Sequence, residues 1–415
     1  MMAWRAHSRA MTGGLLLLVL SASAVYARTV VASYATWRAA SPPVSPDSAP
    51  TSEAGTSDRA ALAFPERVER DVQIRVWNEA LAADPRSALV LGQLAALHAQ
   101  RAREGGGEAD VQRAERYARE SLAQRTQRNG STAVTLVNLL LAQHRYQEAY
   151  EEARTLQARE PDVPPYRALL GEVAMEIGAY EVATAMFDSS FAAGGHLSAA
   201  PRIARWYELQ GHARAARRVM ARARTDARSR GDVTRESKAW FSLRLADLEL
   251  RAGRSRAAAR VLREALQEEP NDPRLLAAMA RGAASASRWN DVIRWGNRVV
   301  EQELDLSTLT LMATAYTAVG DTTQASSFAA TVEALVMARA ESEGLHRVGA
   351  LFLLDHGRQA STILTVAQRD YTTRRDIYGA DLVAWALHKT GQSVEAVPYM
   401  VNALRLHTRD NLLLD

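Results

Sequence analysis

The stretch Leu170-Gly171-Glu172-Val173-Ala174-Met175-Glu176-Ile177-Gly178-Ala179-Tyr180-Glu181-Val182-Ala183-Thr184-Ala185-Met186-Phe187 reads as two amphipathic helices hinged at a glycine. Leu170, Gly171 and Ala174 fall on the first helix, Tyr180 stands at the turn, and Ala183 and Phe187 fall on the second. Gly178 sits where a left-handed carboxyl-terminal cap is wanted. Small residues such as Gly171 and Ala183 belong where two helices cross closely, and a large one such as Phe187 fills the gap to the next pair.

The same arrangement returns on both sides. Gly211, Gly253, Gly320, Gly357 and Gly391 each separate two helical stretches. Their spacing is about one 34-residue unit, or two between Gly253 and Gly320, where Ser287 fills the missing place. His144 extends the series one step earlier. Further copies set Leu136, Leu140, Tyr146, Ala149 and Pro161 at equivalent points, then Leu245-Ala246 with Ala258, Leu262, Ala265 and Pro270. Met312-Ala313 with Tyr316 and Ala325, and Val383-Ala384 with Leu387, Ala396, Met400 and Ala403, complete the set. Pro85, Pro161 and Pro270 stop second helices, because a residue without an N–H cannot continue them. Trp77, Ala80 and Leu81, ahead of Pro85, form the second helix of a leading, incomplete unit. Residues 103–110, 225–235 and 338–344 lengthen connections, and Glu249 stands where the pattern wants an aromatic.

Taken together, these positions resemble the tetratricopeptide signature W-x2-L-G-x2-Y, then A-x3-F, then a proline. The resemblance implies an all-α fold, a right-handed superhelical solenoid of about nine helix-turn-helix units over residues 64–415. Composition agrees with helices: 47% of residues are hydrophobic, mostly Ala and Leu, and only 6% are aromatic. A stacked array also lets 415 residues form one domain.

Residues 1–27 read as a secretory signal peptide. Arg5 and Arg9 make a basic start, an apolar run follows from Gly13 to Leu20, and Val25-Tyr26-Ala27 offers a cleavage site. That run is shorter than the roughly 20 residues that span a bilayer, which favours cleavage near Ala27 over anchoring. The expected location is periplasmic or extracellular, with a mature chain that does not span a membrane. Residues 28–63 are expected to be a disordered linker, since Pro42, Pro43, Pro46 and Pro50 deny it a helix and little in it can be buried.

Cysteine is absent, which excludes disulfides, thiolate metal sites and cysteine nucleophiles. The formal charge is +4, and the leader carries Arg5 and Arg9 away with it. Arginine is nearly the only base and is interspersed with acids, even across 214–230, so nucleic acid is not an expected partner. No G-x-S-x-G elbow, phosphate loop or dinucleotide fingerprint is present. The nine histidines form no zinc-type pair, and each reads as a turn or surface residue. Neither a metal nor a cofactor is called for.

Within the resemblance, first helices line a concave groove that commonly receives an extended peptide or a partner helix. First-helix residues not used for packing are Asn138, Glu172, Arg202, Arg205, Trp240, Asp247, Arg281 and Trp385. They are the candidate partner-binding residues, arginine and tryptophan being common interface anchors. Some family members clamp a terminal carboxylate with a lysine and asparagines on successive first helices. Asn138 and Arg202 stand at two such places, but Val134 and Leu169 occupy others, leaving that clamp incomplete. The expected function is an exported scaffold or adaptor for a protein or peptide, an envelope or secretion assembly being one setting for it. Self-association through the C-terminal end is the first alternative, suggested by Leu412-Leu413-Leu414. The second is an enzyme with a groove site, which would need Glu172, Arg202 and Arg205 to converge around a deep pocket.

Overall fold

The computed structural model describes residues 56–192, 197–340, 344–408 and 410. Among them are 19 α-helices, one π-helical turn and no strand. The first helix, α1 (Thr56–Ala83), stands alone. Nine antiparallel pairs follow: α2 (Ala88–Arg101) with α3 (Glu108–Gln124), α4 (Gly130–Ala142) with α5 (Tyr146–Arg159), α6 (Pro164–Ile177) with α7 (Tyr180–Ala192), and α8 (Ala200–Leu209) with α9 (Ala213–Ser229). The series continues with α10 (Arg235–Arg251) and α11 (Ser255–Glu268), α12 (Pro273–Ala284) and α13 (Trp289–Val300), and α14 (Leu306–Val319) and α15 (Thr322–Ala340). Last come α16 (Arg347–Asp355) with α17 (Ala360–Tyr371), and α18 (Ile377–Lys389) with α19 (Ser393–Ala403). Consecutive helices pack throughout, and first helices also pack on the first helices of neighbouring pairs, as in a solenoid.

The sequence landmarks fall where the pattern set them. Gly178, Gly211, Gly253, Gly320, Gly357 and Gly391 all have φ between 68° and 85°, and Ser287 and His144 adopt the same left-handed conformation at 54° and 58°. Pro85, Pro161 and Pro270 lie just past the ends of α1, α5 and α11. Gly171 is the close crossing: a Cβ there would sit 2.9 Å from the ring of Phe187, which is itself fully buried. Ala183, Ala258 and Leu262 are buried as well. Trp77, Ala80 and Leu81 of α1 pack on Val90, Leu94 and Leu97 of α2, so the leading half-unit covers the start of the array. The lengthened connection at 103–110 contains the π-helical turn Ala102–Gly106. Glu249, in the place of an aromatic, is buried and ion-paired to Arg254 at 2.7 Å.

Of the expected leader and linker, residues 1–55 lie outside the described residues, and α1 begins at Thr56, inside the stretch read as linker. No helix among the described residues is long and apolar enough to cross a membrane. One expectation is corrected. His98 is not a turn or surface residue: it is 3% exposed, with Nδ1 2.7 Å from Asp110. The reason is local, since α3 returns Asp110 beside α2 and Arg101 binds the same carboxylate at 2.6 Å, satisfying a polar group that would otherwise be costly to bury.

The coil also closes on itself. The 372–376 connection between α17 and α18 docks against the turn between α6 and α7. There the Arg375 amide donates to the Ile177 carbonyl at 3.0 Å, and the Ile377 amide donates to the Tyr180 hydroxyl at 2.9 Å. Arg374 donates to the Glu176 carbonyl at 3.1 Å, and Gln147 donates to the Thr373 carbonyl at 2.6 Å. Beneath these polar contacts, Ile377, Ala380 and Ala403 join Ala168, Ala174, Tyr180, Phe187 and Trp206 in one buried cluster. The C-terminal pair thus packs against the middle of the array as well as against its own neighbours.

Candidate functional site

Side chains of several first helices meet one another and line a common cavity. Asn138, Glu172 and Arg202, on α4, α6 and α8, come together: Arg202 Nε donates to Glu172 at 2.6 Å and Nη2 to Asn138 at 3.4 Å. Arg281 of α12 reaches back to Asp247 of α10 at 2.8 Å. Glu172, Arg205 and Trp240 share a cavity of about 450 Å3. Trp385 does not join them. Its indole N–H donates to Asp355 at 2.9 Å and its ring lies under Lys389, both within the last two pairs.

The cavity is built from both sides of the closure. Met175, Glu176, Pro201, Arg205, Trp240, Arg244 and Arg251 come from α6, α8 and α10, and Arg347, Arg374, Tyr378 and Asp410 come from the C-terminal pairs. Tyr378 is the link. Asp376 caps α18 by accepting from the Tyr378 and Gly379 amides, which fixes the start of that helix. The Tyr378 hydroxyl then accepts from Arg205 at 2.8 Å and donates to Asp410 at 2.7 Å. Its ring has Arg205 and Arg347 each 5.2 Å from the centroid, a double cation–π arrangement.

Charge in the wall is unevenly matched. Arg205 bonds Glu208 at 2.6 Å, and Arg251 bonds the other oxygen of the same carboxylate. Burial opposes the Arg205 charge, but Tyr378 and Glu208 outweigh it and hold its pKa above the ordinary value. Burial would lift Glu208, yet Arg205 and Arg251 keep it below the usual carboxylate range. Arg244 is treated differently. Burial lowers its pKa, the partial offset from Asp247 being opposed by the positive charges of Arg251 and Arg205. Among the described residues its one ion pair is 3.8 Å long, to the Asp247 carboxylate that already binds Arg281. On the opposite side burial pushes Glu176 upward against the pull of Arg374.

Sequence reasoning found Glu172, Arg205 and Trp240 but missed Arg244 and Arg251, although both share the α10 face of Trp240 at helical spacing. That spacing was an available signal. Arg347, Arg374, Tyr378 and Asp410 had none, since only the closure brings them near. The enzyme alternative required Glu172, Arg202 and Arg205 to converge. Here Glu172 and Arg202 pair with each other while Arg205 is committed to Glu208 and Tyr378.

A family model of the tetratricopeptide repeat matches residues 239–282, the span holding Trp240, Arg244, Asp247, Arg251 and Arg281. A search of curated proteins gives no match. Among solved structures, a tetratricopeptide repeat protein from Parabacteroides merdae is similar at 15% identity, covering 63% of this chain and 98% of its own, with a TM-score of 0.42. Human IFIT1, solved as a dimer with PPP-AAAA, is similar at 13% identity over 84% of this chain and 90% of its own, with a TM-score of 0.43. PilW, a type IV pilus biogenesis factor, is similar at 16% identity over 58% of this chain and 93% of its own, with a TM-score of 0.31. Residues 239–282 thus match the tetratricopeptide repeat, and the helix pairs on either side of them are joined by left-handed turns in the same helix-turn-helix form.

Proposed function

We propose that this protein is an exported scaffold that holds a protein or peptide partner against the first helices inside its coil, at the cavity between α10 and α18. The observation that carries the reading is the cavity itself. About 450 Å3 is enough to admit a few side chains of a partner, and its wall combines Trp240 with arginines, the residue types that most often anchor interfaces. Export rests on the leader read at 1–27, and an envelope or secretion assembly is the setting we favour. A protein partner suits the wall better than nucleic acid, because Glu172, Glu176 and Asp410 interrupt the arginines where a phosphate chain would need an unbroken basic track. No cofactor is invoked and no reaction is assigned.

Crosslinking in native cells followed by mass spectrometry tests the proposal. A partner crosslinked through probes at Trp240 and Glu172, and absent when the probe sits on the outer face at Arg294, supports it. Equal recovery at both places, or none at either, overturns it. N-terminal sequencing of the mature protein tests export, which fails if the chain still begins at Met1.

A second reading, self-association, is favoured by α19. Val394, Val397, Val401 and Leu404 recur at helical spacing and are 82%, 58%, 65% and 40% exposed. In a solenoid the corresponding face of each earlier second helix is covered by the next unit, so a second copy stacked on α19 would complete the array's own packing.

A further inference from the structure

The arginines of the cavity are not equivalent. Arg205 spends its donors on Glu208 and Tyr378. Arg244 and Arg251, seven residues apart on one face of α10, leave donors unused. Arg244 makes no hydrogen bond among the described residues and has only its long contact with Asp247. Arg251 uses Nε on Glu208, while its Nη2 is buried without a hydrogen-bond partner. The Arg244 side chain is 27% exposed and its guanidinium is open to the cavity, whereas the buried Arg251 Nη2 is a donor that is costly to leave unpartnered. Trp240, one turn before Arg244, closes the site on one side, and the C-terminal pairs close it on the other through Arg347, Tyr378 and Asp410. Five arginines and three carboxylates line the cavity, and Glu208, Asp247, Asp376 and Asp381 behind the wall pair with Arg205 and Arg251, Arg244, Arg374 and Arg347 respectively.

We propose that the cavity is an oxyanion site, in which a carboxylate or phosphate group accepts hydrogen bonds from Arg244 beside Trp240, with Arg251 adding positive charge in the wall. The site rests on the scaffold reading in that the partner would supply the group, as an acidic side chain or chain terminus. A free phosphate has the same acceptor chemistry. Asn138 and Arg202 take no part, since Arg202 donates to Asn138 and to Glu172. Because the two walls come from distant pairs, an anion held here also bridges the closure and favours the closed coil.

Isothermal titration calorimetry of the full chain with inorganic phosphate, and separately with an acetylated tetraglutamate peptide, tests the site. At least one probe is expected to bind saturably. Arg244→Gln is expected to weaken that binding about tenfold, and Arg294→Gln on the exposed face of α13 to change it less than about twofold. Phosphate alone binding would assign a phosphorylated ligand, and the peptide alone a carboxylate. Arg244→Lys, which keeps the charge but loses the forked donors, should fall between the wild type and Arg244→Gln and guards against a folding artefact. Binding of neither probe, or binding indifferent to Arg244, overturns the proposal. A partner crosslinked as strongly to Arg244→Gln as to the wild type would sink the oxyanion site while leaving the scaffold standing. Arg244-dependent phosphate binding without any crosslinked partner would do the reverse.

Discussion

Gly178 lies so close to Arg375 that a Cβ on the glycine would sit 2.2 Å from the Arg375 carbonyl oxygen. The glycine ends α6 with φ of 80°, and the arginine belongs to the connection that docks on it. One residue therefore serves both a helix cap and the contact between distant parts of the coil. Gly320 has a similar φ of 85° with nothing within 4 Å of its absent Cβ. Gly178→Ala and Gly320→Ala should share a conformational penalty of about 1 kcal/mol. Gly178→Ala should cost at least about 1 kcal/mol more, because backbone must move. Urea unfolding with amide exchange at Arg375 and Ile377 measures the difference, and equal losses would show that the closure is not formed in solution.

Tyr378→Phe removes the hydroxyl between Arg205 and Asp410 and leaves both with an unmet bond at the cavity wall. The expected loss is about 1–3 kcal/mol, concentrated in the C-terminal pairs. Faster exchange at the amides of 377–380 with unchanged exchange in α2 and α3 is the expected signature. A uniform change across the molecule would contradict it.

The buried His98–Asp110 pair makes stability depend on pH. Burial lowers the His98 pKa below its ordinary 6.5, outweighing the hydrogen bond to the Asp110 carboxylate that raises it. Burial would raise Asp110, but Arg101 and His98 hold it down at about 2. Both folded values lie below the unfolded ones, so both groups bind protons more readily in the unfolded chain. The His98 contribution is complete above pH 6.5 and is lost as pH falls through its folded value. The Asp110 contribution is complete above 3.8 and is lost toward 2. His98→Phe should therefore flatten the stability curve between about pH 7 and 5 relative to wild type. Parallel curves for the two proteins would contradict this.

If a second copy covers α19, Val397→Asp together with Val401→Asp should give a monomer, since charges on that face cannot be buried in an interface without partners. Light scattering of the full chain, this variant and a truncation at Arg409 decides the matter. Identical monomeric masses for all three would dispose of self-association. A monomeric wild type that dimerises on truncation would show that the residues after Arg409 cover the face instead.

How far the sequence could be read depends on the range of the interaction involved. The pairing of helices was legible because it is local. Gly178, Gly253 and Ser287 mark turns through their own backbone preferences, and Gly171 opposite Phe187 is settled within one pair. Of the candidate groove residues, Asn138, Glu172 and Arg202 meet because neighbouring first helices are always adjacent in a stacked array, which periodicity alone implies. Trp385 looked equivalent to them but turns to Asp355 and Lys389, since its pair lies at the end of the coil. His98 was misread because its partner, Asp110, lies across a lengthened turn whose path the pattern does not specify.

By itself the sequence determined the repeating unit: a helix, a left-handed turn and a second helix, copied along the chain with small and large side chains in fixed places. Each of those features is enforced by contacts between residues close in sequence, so each leaves a period. What only the tertiary structure decided is where successive turns of the coil meet. The superhelix accumulates small rotations from many pairs, and no single position records their sum. Hence Tyr378 against Arg205, Arg375 against Gly178, and the arginine-rich cavity they enclose, arise from curvature rather than from any motif.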